Sequence, residues 1–121
     1  MRTDSSMLRG EIRLTELDPA QGSEAGKRRP AVLVSNDRAN ATAARLGRGV
    51  VTVVPVTSNV TRVFPFQARL TADETGRRVD SKAQCDQIRS VSVHRLSSVI
   101  GRVPPHVMER LNDALRAHLQ L

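Results

Sequence analysis

VVTVVPV, residues Val50–Val56, is almost wholly β-branched and is the strongest strand in the sequence. It ends at Thr57-Ser58-Asn59, three small polar residues in a row. Upstream, AVLV (Ala31–Val34) is a second buried strand, which Pro30 opens, because proline lacks the donor that an interior position of a central strand needs. The residue before a proline is steered to extended geometry, so Arg29 stands at the strand entrance. Between these strands Asn36-Asp37 are capping residues and DRANATAARL (37–46) predicts a short helix, broken by Gly47 and Gly49.

Further out, EIRLTEL (Glu11–Leu17) alternates polar and apolar with Ile12 and Leu14 on one face, the pattern of a half-buried strand. Asp18-Pro19 and Gly22-Ser23 are turn chemistry, which predicts a long mobile loop from Asp18 to Lys27. FQARL (Phe66–Leu70) is a further strand, ADETGRR (72–78) a loop, and AQCDQIRSV (83–91) and SSVIGRV (97–103) the last two strands. In the C-terminal segment Val107, Met108, Leu111, Leu115 and Leu119 fall at helical spacing, with Pro105 in the first turn. Residues 1–8 read as a flexible tail and 9–121 as a single domain. The expected fold is mostly β with minor α, a small, strongly curled antiparallel β-barrel with a C-terminal helix.

The chain of 121 residues carries 19 Lys+Arg against 12 Asp+Glu, a net charge of +7. A surplus of this kind is the electrostatic footprint of a polyanion partner. Its one cysteine, Cys85, cannot form an internal disulfide, and the start lacks the apolar core of a signal peptide. No run of apolar residues is long enough to span a bilayer, so the expected setting is cytoplasmic, with no membrane partner. Phe64 and Phe66 are the only aromatics, which argues against a domain that grips bases on a broad face of exposed rings.

His94, His106 and His118 fit no metal-binding spacing and Cys85 has no CxxC partner, so no metal and no cofactor is expected. Phosphate-cradling glycine loops and the GxSxG elbow are also missing. What remains is a polar set at strand ends: Glu24 in the loop, Arg29 at one strand's entrance, Thr57 and Ser58 at another's exit. An arginine, a hydroxyl and a carboxylate can together serve phosphoryl transfer, where catalysis is mainly positioning and charge stabilisation. The same residues also suit an ordinary polar rim, and their spacing leaves both readings open.

The order of the motifs adds a resemblance. RGEI, LDPAQGSEAGKRRPAVLVSND, VVPVTSN, FPFQ, DQIRSV and IGRV, followed by a terminal helix, are similar to the MazF/PemK family of toxin endoribonucleases, from about Arg9 to Leu121. The resemblance implies the toxin of a type II toxin–antitoxin system on the plasmid-maintenance-toxin fold that MazF/PemK and CcdB share. It implies a homodimer that cuts single-stranded RNA without metal, blocked by a small acidic antitoxin. By the family pattern Arg29 and Thr57 are catalytic, with Glu24 as the loop glutamate. Lys27, Arg28, Ser58, Asn59 and Gln87 then fall at positions for RNA contact. The family's tryptophan pair after RGEI is replaced here by Arg13 and Leu14, which removes large buried area from the first strand. Two alternatives share these features: a CcdB-like gyrase poison that binds a protein and cuts nothing, and a basic RNA-binding module without nuclease activity.

Overall fold

In the computed structural model, which describes residues 6–18, 21–24 and 27–121, strands and helices alternate unevenly along the chain. They are β1 (Glu11–Glu16), β2 (Arg28–Leu33), α1 (Asp37–Leu46), β3 (Val50–Thr57), β4 (Gln67–Leu70), α2 (Ala72–Thr75), β5 (Ser81–Gln84), β6 (Arg89–Ser92), β7 (Leu96–Arg102) and α3 (Pro105–Leu119). The expected tail and loop fall partly on residues 1–5, 19, 20, 25 and 26, which lie outside the described residues. Within the expected tail, Met7 is buried.

The strands form one antiparallel sheet in the order β4-β5-β3-β2-β1-β7, with β6 also pairing β3. The expected curled antiparallel sheet is therefore present, but it is not closed: β4 and β7 end the path without pairing each other, and β6 pairs only β3. β3 organises it by serving two partners along one side. Its first half pairs β6 from Val50↔Ser92 to Val53↔Arg89, and its end pairs β5 at Val56↔Ala83 and Thr57↔Lys82. Pro55 falls in the gap between those two ladders, where no donor is required of it.

The two faces of the sheet bury different sets of side chains, as the two-residue period of a strand requires. Ile12, Val32, Val54, Val56, Ala68, Leu70 and Ala83 pack with Val107, Met108, Leu111 and Ala114 of α3. Leu17, Ala31, Leu33, Val51, Val53 and Val91 pack on the opposite side with Met7 and Ala43 of α1. The apolar stripe of α3 ends early: Leu115 is half-buried against the core, and Leu119 is exposed.

Several boundaries differ from the expected ones for local reasons. β2 begins at Arg28, two residues before Pro30. Gly10 N donates to Leu33 O and Val34 N donates to Thr52 O, so odd-numbered residues of β2 bond toward β1 and even-numbered ones toward β3. Pro30 therefore lacks its donor only on the β3 side, and the ladder with β3 ends at Ala31↔Pro55 while that with β1 runs on to Glu16↔Arg28.

The segment AQCDQIRSV is not one strand. A 3-10 turn over Cys85–Gln87 breaks it, and Ile88 N donates to Cys85 O to end that turn. ADETGRR is not all loop, because Thr71 and Glu74 form a reciprocal capping box that starts α2. α1 is the expected helix, with Asn36 Oδ1 accepting from Ala39 N and Gly47 closing it in the left-handed region.

At the two positions that depart from the family's aromatic pair, Arg13 and Leu14 are both half-buried. The Arg13 guanidinium donates to Glu11 Oε1 at 2.9 Å and to Ser97 O at 2.9 Å. Glu11 is only 3% exposed and also meets Arg102 at 3.5 Å, so polar pairing stands where rings would otherwise pack.

Candidate functional site

β2 and β3 diverge at one end, and four of the eight expected site residues, Arg29, Thr57, Ser58 and Asn59, lie there. Beyond Ala31↔Pro55, β2 stays with β1 (Thr15↔Arg29) and β3 goes with β5 (Thr57↔Lys82). The β2–β3 register, continued two residues, sets Arg29 across from Thr57. Both project from the α1-facing side of the sheet, following Ala31 and Leu33 in β2 and Val53 in β3. The result is a row across four strands, with Thr57, Lys82 and Arg69 in register and Arg29 continuing it beyond the last β2–β3 pair. Arg29 and Thr57 are half-buried.

Thr57 Oγ1 accepts a hydrogen bond from Asn59 N at 3.2 Å, and Asn59 Oδ1 accepts one from Thr61 N at 3.2 Å. These two side-chain-to-backbone turns start the loop that follows β3. Its exposed residues include Ser58 and Asn59. The hydroxyl hydrogen of Thr57 has no acceptor among the described residues and is available to a ligand oxygen. Further along the same loop the Phe64 and Phe66 rings stack at 5.3 Å, and the Arg62 guanidinium lies 5.5 Å over Phe64. The two aromatics of the chain therefore stand together beside the strand end that carries Thr57.

Lys27 and Arg28 do not join the row. Lys27 adopts φ 63, at the neck of the β1–β2 loop, where Leu17 N donates to Lys27 O and Lys27 N donates to Asp18 Oδ1. Arg28 alternates to the face opposite Arg29 and donates to Ser97 Oγ at 3.0 Å. Two arginines absent from the expected set hold the neck from below. Arg89 donates to Leu17 O at 3.1 Å, and Arg95 donates to Glu16 O and Asp18 O.

Glu24 lies exposed in that loop, and its Oε1 accepts from Gln21 N at 2.7 Å. Gln87 Nε2 donates to Ser23 O at 3.1 Å, which ties the loop to the turn after β5. Together with Asp86, Ile88 and Arg89 these residues line a cleft of about 250 Å³. The expected residues thus fall into two neighbouring groups: Arg29, Thr57, Ser58 and Asn59 at the splayed strand ends, and Glu24 with Gln87 in the cleft. A larger cavity, about 820 Å³, lies between α2 and the start of α3 and is lined by none of them.

Arg69 and Lys82 are the two members of the row absent from the expected set, and Lys82 has the weaker sequence signal. It sits in a short segment, SKAQ, whose alternation of polar and small residues gives a four-residue strand a weak signal. Cys85, by contrast, takes no part: burial, reinforced by the Asp86 charge, pushes its thiol up to about 12, which leaves it inert.

Residues 8–119 match the family described as PemK-like, MazF-like toxin of type II toxin–antitoxin system. Over 115 residues, 95% of this chain and 98% of the relative, the sequence is 61% identical to endoribonuclease MazF9 of Mycobacterium tuberculosis. The fold superposes on a crystal structure of MazF from Deinococcus radiodurans with a TM-score of 0.80 at 25% identity, covering 98% of this chain and all of that one. It also superposes on an endoribonuclease from a mycobacterial species solved with its cognate antitoxin. There the TM-score is 0.72 at 22% identity, covering 96% of this chain and 97% of the other.

Proposed function

Because the chain belongs to the PemK-like, MazF-like toxins of type II toxin–antitoxin systems, we propose that it is an endoribonuclease whose active site is the splayed end of β2 and β3. The observation that supports this reading is that β2 and β3 part beyond Ala31↔Pro55, with Arg29 two residues past that pair on one strand and Thr57 two residues past it on the other. A permanently charged guanidinium beside a hydroxyl with a hydrogen to donate suits the non-bridging oxygens of a phosphodiester.

In the proposed reaction the 2′-hydroxyl of single-stranded RNA attacks the adjacent phosphorus. The new P–O2′ bond forms as the P–O5′ bond breaks, giving a 2′,3′-cyclic phosphate and a 5′-hydroxyl. Arg29 stays charged, stabilises the phosphorane and donates a hydrogen bond to the departing 5′-oxygen, which takes its proton from water, and Thr57 donates to a non-bridging oxygen. Glu24 takes the proton from the 2′-hydroxyl. Lys27 and Arg28 add affinity at the rim, Ser58 and Asn59 contact the RNA beside the scissile phosphate, and Gln87 reads a base from the cleft.

The protein acts as a homodimer in the cytoplasm, and the partner that restrains it is a small acidic antitoxin. The net charge of +7 favours both that peptide and the RNA. Incubating the purified protein with a long RNA in EDTA tests the reading. Discrete fragments with 5′-hydroxyl ends are expected, and a 2′-deoxy substitution at one cleavage position should protect that bond alone. Intact RNA under these conditions overturns the assignment.

A further inference from the structure

We propose that Lys82 is a further RNA-binding residue of this site, its ammonium taking the backbone phosphate next to the scissile one, on the side of Thr57 away from Arg29. The inference rests on the endoribonuclease reading and extends it. Lys82 is directly opposite Thr57 in the β3–β5 ladder, and directly opposed residues of an antiparallel pair project side by side from one face, their Cβ atoms about 5 Å apart. Thr57 is therefore flanked by a cation on each neighbouring strand.

Burial makes Lys82 unlike the other lysine and arginine side chains of the row. It is 8% exposed, and a charge withdrawn from water to that degree requires a compensating anion. Among the described residues no carboxylate pairs with it, and its Nζ donates to one acceptor, the Arg62 carbonyl, at 2.5 Å. Arg69, its neighbour in β4, has Asp80 at 3.3 Å. An ammonium has three donors, so after the Arg62 carbonyl two remain for phosphate oxygens. The bond to Arg62 also pins the loop that carries Ser58, Asn59 and the Phe64–Phe66 stack, so one side chain serves both the loop and the anion.

A lysine that only fastened the loop would show the same burial and the same Arg62 bond, so the test must read phosphate contact itself. Binding of single-stranded RNA, made uncleavable by a 2′-deoxy nucleotide at the cut, is followed by fluorescence anisotropy across a salt series. For Lys82→Met, affinity should fall about tenfold or more at low salt. The slope of log affinity against log salt should become shallower by about 0.7, the signature of one lost phosphate contact on a single strand. Lys82→Arg should keep the parent slope, and Lys82→Gln replaces Lys82→Met if the latter does not fold.

A neutral methylphosphonate at the neighbouring phosphate should weaken the parent and add nothing to the loss in Lys82→Met. An unchanged slope, or additive losses at every phosphate, assigns Lys82 to the loop alone and overturns the inference. If the parent binds RNA and Lys82→Met binds equally well, only this inference falls. If the parent binds no RNA, the endoribonuclease reading falls with it.

Discussion

The Glu24 carboxylate accepts a hydrogen bond from the Gln21 backbone N–H at 2.7 Å, so the candidate base is oriented by its own loop. That loop is in turn fastened by Gln87 donating to Ser23 O. Glu24 lines the cleft with Asp86, Gln87, Ile88 and Arg89, and Thr57 does not line it. Glu24→Gln keeps an oxygen to accept from Gln21 and removes the basicity. If Glu24 accepts the 2′-proton, single-turnover cleavage should slow by about 10²–10⁴-fold with RNA affinity unchanged. A parent rate in this variant removes Glu24 from proton transfer.

Arg29 is the side chain whose loss should be most costly. Arg29→Ala removes the charge, and Arg29→Lys keeps it but loses the planar fork that matches phosphate oxygens. Both should cut single-turnover cleavage by at least about 10²-fold, the scale of losing one donor to a developing oxyanion. The position is half-buried at a strand end, so the melting temperature should stay near that of the parent. Retained cleavage by Arg29→Ala with an unchanged melt would move the chemistry elsewhere in the molecule.

Most of the sheet was legible because its strands carry strong local signals. The β-branched run of β3, the apolar run of β2 and the polar–apolar alternation of β1 announce themselves, and the cap at Asn36 marks α1. What could not be read is set by partners distant in sequence. The divergence of β2 from β3 depends on β5 claiming Thr57, and no pattern within either strand says so. For the same reason the sheet's failure to close was hidden, as was the role of Lys82.

One local signal was present and passed over: Thr71 and Glu74 spell a capping box in plain sequence. Pro30 was read as the start of β2, whereas it lies two residues inside, tolerated because its missing donor faces away from β1. The family resemblance named Arg29 and Thr57, and the fold brings those two to one strand end.

Gly101 lies where β7 passes beneath α2. A Cβ there would stand 2.8 Å from Arg77 Cγ and 3.0 Å from the Thr75 carbonyl oxygen. The arginine could swing aside, but the carbonyl belongs to the backbone of α2 and cannot. Gly101→Ala should therefore destabilise by about 1–3 kcal/mol through overpacking. Thermal or urea melting reads this directly, and cleavage below the melting range should survive, since neither α2 nor the cavity it lines carries an expected site residue. Unchanged stability would show that α2 shifts freely against the sheet.

Arg110 grips Glu74 with both ends of its fork, Nη1 to Oε1 at 3.0 Å and Nη2 to Oε2 at 3.1 Å. The Arg110 hydrogen bonds, with help from the Thr71 backbone N–H, pull the Glu74 carboxyl from 4.5 down to about 2. A carboxyl whose pKa falls on folding stabilises the fold fully above its unfolded value, and that stabilisation disappears as the pH drops through the folded one. Arg110 is 43% exposed, so solvent screening reduces the contribution to about 1 kcal/mol, far below what the full shift implies. Glu74→Gln keeps an oxygen for the Thr71 capping contact and removes the charge together with the Oε2 acceptor of Arg110. The melting temperature of the parent should exceed that of Glu74→Gln by about 4 °C at neutral pH. The gap should hold down to about pH 5, narrow below 4.5 and vanish near 2. A gap that persisted unchanged to pH 2 would mean the amide lost packing rather than charge, and the fork between α3 and α2 would then contribute nothing electrostatic to the fold.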